Sequence, residues 1–146
     1  MKEAEEPTRP DAFLTRIEIP PVWEDLMVSA MEGVILVVGA TDTGKTTFAR
    51  YLYHRLADHH PCRGFIDGDM GQASLGPPTT MTLAFSTFDE TVFPPGGRRF
   101  QVFVGDISPT GHMLPTVVGA HMLVEKARAE GATAVVADLD GDAAER

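Results

Sequence analysis

The sequence predicts an α/β fold, in which a mostly parallel sheet is flanked by helices. Short apolar runs rich in β-branched residues alternate along the chain with segments whose apolar residues recur at helical spacing. This alternation favours parallel strands, because a helix carries the chain back across the sheet before each new strand. With 146 residues, the chain is long enough for one buried core.

The first half of the chain contains two expected strands and one expected helix. Residues 1–19 are expected to form a flexible lead-in, and residues 20–146 one domain. The unbroken aliphatic run within 33–38 fits a strand that is buried on both faces. A helix over 45–58 and a second strand over 63–67 are expected to follow.

A hairpin is expected in the middle of the chain. Residues 81–88 and 99–104 have the composition of strands, and the Pro-Pro-Gly-Gly sequence at 94–97 provides a turn between them. The preceding residues, 68–80, are rich in glycine and proline, so we expect a loop there.

The last elements are expected to be a long helix and a strand. The helix is predicted over 112–129, with Gly131 after its last turn as a C′ residue. Met113 and Met122 on this helix are expected to pack in the core. A final apolar strand is predicted over 133–138.

The composition is that of an acidic globular protein, with 43% hydrophobic and 23% charged residues. A formal net charge of −9 argues against a broad basic surface for non-specific nucleic-acid binding, although it permits a local basic groove. No apolar run has the length of a membrane span, and the first residues do not resemble a signal peptide. Cys62 is the only cysteine, as suits a reducing compartment. We therefore expect a cytoplasmic protein.

The most informative motif is a phosphate loop. The pattern G-x-x-x-x-G-K-[ST] is matched at every defined position by the run Gly39-Ala40-Thr41-Asp42-Thr43-Gly44-Lys45-Thr46. Its glycines allow backbone N–H groups to face phosphate oxygens, and the helix that begins near Thr47 adds a favourable dipole. We therefore predict a P-loop NTPase that binds ATP or GTP through this run and Thr47. Lys45 is expected at the β- and γ-phosphates, and Thr46 on Mg²⁺.

The residues at the carboxyl ends of the predicted strands should meet at one edge of the sheet, where open α/β sheets bind ligands. They are Gly39, Asp67, Gly105-Asp106 and Asp138. Near a phosphate loop, the pair Asp67 and Asp69 is suited to holding Mg²⁺ and to accepting a proton from an attacking hydroxyl. An ordinary Asp-rich turn is the alternative.

Three segments together resemble the polynucleotide 5′-hydroxyl kinase family. They are the phosphate loop, the run Asp67-Gly68-Asp69-Met70-Gly71-Gln72 with prolines soon after it, and the run Phe103-Val104-Gly105-Asp106-Ile107-Ser108-Pro109. The resemblance implies transfer of the γ-phosphate of ATP, or of GTP, to the 5′-hydroxyl of RNA or DNA. The family includes RNA kinases of tRNA, rRNA and mRNA 3′-end processing.

The resemblance also implies roles for individual residues. Asp69 would contact Mg²⁺ or activate the 5′-hydroxyl, with Asp67 as the second candidate, and Gln72 would lie close to the phosphates or the nucleophile. The residues Gly105, Asp106 and Ser108 match a loop near the nucleic-acid end of the site. His112 is either a contact to a substrate phosphate or a surface residue at a helix start.

Two other functions remain open from the sequence. One is a P-loop ATP-binding switch or ATPase of low turnover, and the other is a small-metabolite kinase. The chain stops soon after the strand at 133–138, whereas folds of this class continue, so a C-terminally incomplete domain is expected. Trp23 is expected to be a packing anchor, with a place in the adenine pocket as the alternative.

Overall fold

The computed structural model describes residues 16–40, 42–86, 93, 95 and 98–139. Within them a five-stranded sheet has the order β1-β5-β2-β3-β4. The strands are Gly33–Val37 (β1), Arg63–Gly68 (β2), Thr80–Ser86 (β3), Arg99–Phe103 (β4) and Ala134–Leu139 (β5). The helices are Pro21–Glu24 (α1), Lys45–Arg55 (α2) and Met113–Ala129 (α3). Short 3₁₀ turns at Val28–Ala30 and Leu56–Asp58 follow α1 and α2.

The α/β class and the β3–β4 hairpin are confirmed, but the sheet is mixed rather than mostly parallel. β5 pairs in parallel with both β1 and β2. β3 is antiparallel to both β2 and β4. The physical reason is that a loop without a crossover helix joins β2 to β3, so the chain turns back and pairs antiparallel. Of the predicted lead-in, residues 1–15 lie outside the described part of the chain, as does most of the turn at 94–97.

α2 and α3 cover opposite faces of the sheet. On one face, Leu52 of α2 and Leu56 of the 3₁₀ turn that follows it pack with Phe65 and Val136 of the central strands. On the other face, Leu123 and Ala127 of α3 pack with strand residues that include Ile66, Met81, Leu83 and Val135. Neighbouring residues of β2 and β5 therefore point into different cores, as a sheet buried on both faces requires.

α3 approaches the sheet through small residues, which corrects the expectation that its methionines are core residues. A Cβ atom at Gly119 would lie only 3.0 Å from a methyl group of Val102. Met113 and Met122 are 47% and 56% exposed, because the face of α3 that packs on the sheet is formed by Gly119, Leu123 and Ala127. At 17 residues, α3 is the longest helix of the described chain, and no described helix is long and apolar enough to span a bilayer.

Candidate nucleotide and phosphoryl-transfer site

The phosphate loop lies between β1 and α2. Gly44 has a φ of +81° and precedes the first residue of α2, which is a backbone conformation that favours glycine. A hydrogen bond within the loop stabilises it, since the Thr43 hydroxyl donates to the Ala40 carbonyl at 2.7 Å. Thr41 lies outside the described residues. Asp42 and Thr43 are exposed, and Lys45, Thr46 and Thr47 are half-buried at the start of α2.

Asp138 at the end of β5 is the partner of the Thr46 hydroxyl. The hydroxyl donates to Asp138 Oδ2 at 2.8 Å. Asp138 is 1% exposed, and its other oxygen, Oδ1, is buried without a hydrogen-bond partner among the described residues. In the sheet register, Asp138 lies beside Val37 of β1 and Asp67 of β2. The sequence predicted this shared edge, although it gave no chemical role to Asp138.

Burial raises the pKa of Asp138 to about 6. The Thr46 hydrogen bond and the nearby Lys45 charge act in the opposite direction, while the charges of Asp67 and Asp69 raise the pKa further. A buried carboxylate oxygen without a partner is costly unless a cation or donor meets it. The Thr46–Asp138 pair therefore has the donor set that Mg²⁺ takes at nucleotide sites, where phosphates and waters supply the remaining ligands.

No group of three or more His, Cys, Asp or Glu side chains among the described residues is arranged to hold a metal alone. Asp69, the other predicted metal contact, lies on the neighbouring loop, and its role stays a prediction.

The unliganded protein is expected to lose stability through Asp138 as the pH rises from about 4 to about 6. In this window the folded carboxyl keeps its proton, because its pKa is about 6, whereas the unfolded one releases it near 3.8. The unfolded state then binds fewer protons, so the free energy of unfolding falls with rising pH. In Asp138→Asn this contribution disappears. Urea unfolding across pH 4 to 8 measures this difference. The free energy of unfolding of the variant, relative to that of the wild type, should rise between pH 4 and pH 6.

A matched control for this prediction is Asp58→Asn, which removes an exposed carboxylate from the 3₁₀ turn that follows α2. Its difference from the wild type should change little over the same range. If Asp138→Asn and Asp58→Asn behaved alike, burial would not raise the pKa of Asp138 in the way described above.

Asp67 holds its own loop together. It is 2% exposed, and its Oδ2 accepts hydrogen bonds from the backbone N–H groups of Ser74 at 2.6 Å and Leu75 at 2.9 Å. The Ser74 hydroxyl and the Asp69 N–H also donate to this carboxylate. Burial raises the pKa of Asp67, and these hydrogen bonds oppose the shift. Both oxygens are therefore engaged within the segment that follows β2.

Asp69 is more available than Asp67. It is half-buried, and its Oδ1 accepts one hydrogen bond, from the Gln72 N–H at 3.0 Å. No hydrogen bond reaches Oδ2 from the described residues. The Gln72 side chain is exposed on the same loop. A Cβ atom at Gly71 would lie 3.1 Å from the Ile107 carbonyl oxygen, so this loop touches the one that follows β4.

The loop after β4 carries the predicted substrate residues. Asp106 Oδ1 accepts from the Ile107 N–H at 2.6 Å, and Ser108 Oγ accepts from the Thr110 N–H at 3.2 Å. His112, at the N-cap of α3, has its Nδ1 3.4 Å from Asp106 Oδ2. Asp106 and His112 thus form a half-exposed pair beside the Asp69 loop.

Thr79 joins these two loops, and the sequence did not predict it. Its N–H donates to the Met70 carbonyl at 3.2 Å, next to Asp69. Its carbonyl accepts from the N–H groups of Val104 at 2.9 Å and Gly105 at 3.3 Å. Thr79 does this with a φ of +71°, a strained conformation for a β-branched residue. The strain therefore occurs at a residue that links both loops to the start of β3.

Replacing Thr79 by glycine is expected to raise the free energy of unfolding by about 0.5–1 kcal/mol. Left-handed backbone costs an ordinary residue about 1–2 kcal/mol, and the added chain entropy of glycine offsets about half of that. The matched control is Thr80→Gly, at the first position of β3, which should destabilise the protein. Denaturant unfolding measures both variants. Equal destabilisation by both would contradict strain at Thr79.

Comparison with known proteins gives a consistent set of relatives. The family model described as mRNA cleavage and polyadenylation factor CLP1 P-loop matches residues 39–142. A polyribonucleotide 5′-hydroxyl-kinase of Pyrococcus horikoshii is 34% identical over 130 residues, which cover 80% of this chain and 33% of the relative. One from Pyrococcus abyssi is 34% identical over 93 residues, covering 64% of this chain and 26% of the relative. The polynucleotide 5′-hydroxyl-kinase NOL9 of Homo sapiens is 44% identical over 50 residues, covering 34% of this chain and 7% of the relative. The chain spans a third or less of the length of these relatives.

Proposed function

The chain belongs to the P-loop family of the mRNA cleavage and polyadenylation factor CLP1, and from this membership we propose that it transfers the γ-phosphate of ATP to the 5′-hydroxyl end of RNA or DNA. The relatives named as polynucleotide and polyribonucleotide 5′-hydroxyl-kinases support this acceptor. The phosphate loop and the Thr46–Asp138 pair support ATP with Mg²⁺ as the donor.

The observation that carries the proposal is the half-buried Asp69, whose loop lies near Asp138 and contacts the loop that follows β4. The Asp69 charge acts on Asp138 at the metal position, and its loop touches the Asp106 loop through Gly71 and Ile107. A carboxylate with an open oxygen between a phosphate loop and a second polar loop is suited to activating a hydroxyl.

On the donor side, the ammonium of Lys45 neutralises charge on the β- and γ-phosphates. Backbone N–H groups of the loop and of the α2 N-terminus hold the phosphate oxygens. Thr46 and Asp138 would hold Mg²⁺, with Asp69 as a further contact, and the cation would supply charge neutralisation during transfer. Asp67 keeps the Asp69 loop in place through its four accepted hydrogen bonds.

On the acceptor side, the oxygen of the 5′-hydroxyl attacks the γ-phosphorus, and Asp69 accepts the proton that this hydroxyl releases. The bond between that phosphorus and the bridging oxygen breaks, and ADP leaves. Gln72, which is exposed on the same loop, would lie close to the phosphates or the nucleophile. His112, with Asp106, and the Gly105–Ser108 segment offer contacts for the terminal nucleotide and its phosphate.

The test is transfer of labelled γ-phosphate from ATP to an oligonucleotide with a 5′-hydroxyl, with RNA and DNA assayed in parallel. Labelled oligonucleotide is expected, and an oligonucleotide that already carries a 5′-phosphate should stay unlabelled. ATP hydrolysis without labelled oligonucleotide would overturn the proposal in favour of a switch or ATPase. Labelling of small hydroxyl compounds instead would favour a metabolite kinase.

A further inference from the structure

An apolar cleft opens beside the phosphate loop, where α1, the end of β1 and the start of α2 meet. It has a volume of about 320 Å³, at the lower end of the range for small-molecule pockets. Its walls come from α1 and Leu26 shortly after it, from the end of β1, and from the first turn of α2. The main contributors are Val22, Trp23, Leu26, Val38, Lys45 and Phe48.

Trp23 packs against two aromatic rings of α2 at this cleft. Its ring centroid lies 4.9 Å from that of Phe48 and 5.3 Å from that of Tyr51, and both pairs are tilted. Trp23 itself is only half-buried, and its neighbours Val22 and Val38 are 66% and 64% exposed. Trp23 therefore packs on α2 as the sequence predicted, and it also leaves apolar surface open at the cleft.

The position of the cleft defines which end of a nucleotide reaches it. Thr46 and Asp138 lie towards β5, which pairs with one edge of β1. No described residue of β5 lines the cleft, whereas Gly44 and Lys45 do. Gly44 and Lys45 therefore belong to both the phosphate loop and the cleft, so the end of a nucleotide that is not held at Thr46 and Asp138 has the cleft beside it.

We propose that this cleft binds the base of the bound nucleotide, with Trp23 as the aromatic surface against which the base packs. A nucleobase is flat, with apolar faces, so it suits a cleft lined by indole, phenyl and aliphatic side chains. The inference rests on the proposed function only in requiring that the phosphate loop binds a nucleoside triphosphate. It does not depend on the acceptor.

The test compares binding of Mg-ATP with binding of Mg-tripolyphosphate, which has phosphates but no base. Calorimetry on the wild type, Trp23→Ala, Trp23→Phe and the exposed control Val117→Ala gives the affinities. Trp23→Ala should weaken ATP binding about 10-fold, as expected for loss of base–aromatic packing, and leave tripolyphosphate binding unchanged. Trp23→Phe should retain most of the ATP affinity, and Val117→Ala should change neither.

The fluorescence of Trp23 gives a second readout, because it is the only tryptophan of the chain. ATP should alter its emission, whereas tripolyphosphate should not. If Trp23→Ala lost affinity for ATP and for tripolyphosphate equally, the inference would be overturned, since Trp23 would then act by supporting α2. Unchanged ATP binding in that variant would overturn it too, while leaving the kinase proposal intact. A chain that bound neither ligand would contradict both proposals.

Discussion

Lys45→Ala is expected to lower phosphoryl transfer to a 5′-hydroxyl oligonucleotide by at least about 100-fold. Transfer of a γ-phosphoryl group depends on neutralising charge on its oxygens, and loss of one such contact costs a factor of this size. Lys45 is half-buried at the start of α2, and its charge already acts on Asp138. The measurement is the initial rate of oligonucleotide labelling at saturating ATP.

The matched control is Lys126→Ala, which removes an ammonium from the surface of α3, where it pairs with Glu130 at 3.0 Å. Its labelling rate should equal that of the wild type. Unfolding curves of both variants separate loss of function from loss of fold. A Lys45→Ala protein that was folded and still labelled the oligonucleotide at the rate of the control would show that the phosphate loop has been assigned wrongly.

The parts of the fold that local sequence patterns specify were predictable. The phosphate loop combines a turn, a strand and a helix start within a few residues, so its pattern alone indicated its structure. The end of α3 is similar. Gly131 has a φ of +93°, and the next residue, Ala132, donates its N–H to the Ala127 carbonyl, as a glycine-terminated helix requires.

The contacts that complete the site are not local, which is why the sequence did not reveal them. Thr46 and Asp138 are 92 positions apart and meet only because β5 inserts between β1 and β2. That strand order has no signature in hydrophobic periodicity. A carboxylate at the end of an apolar strand was the signal that pointed to Asp138. Thr79 gave no signal, because its role lies in its backbone and threonine rarely adopts its conformation.

The structure separates Asp67 from Asp69, although the sequence assigned both to one pair. Asp67 accepts hydrogen bonds at both oxygens and is buried, whereas Asp69 accepts one and is half-buried. A carboxylate that satisfies backbone N–H groups stabilises a loop, and one with an open oxygen is able to accept a proton from a substrate. Substitution of each should therefore change a different quantity.

Asp69→Asn is expected to reduce the rate of labelling by about 100-fold or more, because the amide cannot accept the hydroxyl proton. Its affinity for ATP and its free energy of unfolding should stay close to those of the wild type, since the side-chain amide oxygen of the variant still accepts from the Gln72 N–H. Asp67→Ala should instead lower the free energy of unfolding by about 1–3 kcal/mol, because the Ser74 and Leu75 N–H groups lose their acceptor. Rate assays, ATP binding and denaturant unfolding on both variants distinguish the two roles. An Asp69→Asn protein with undiminished labelling would move the proton acceptor elsewhere, and an Asp67→Ala protein of unchanged stability would remove the loop-holding role given to Asp67.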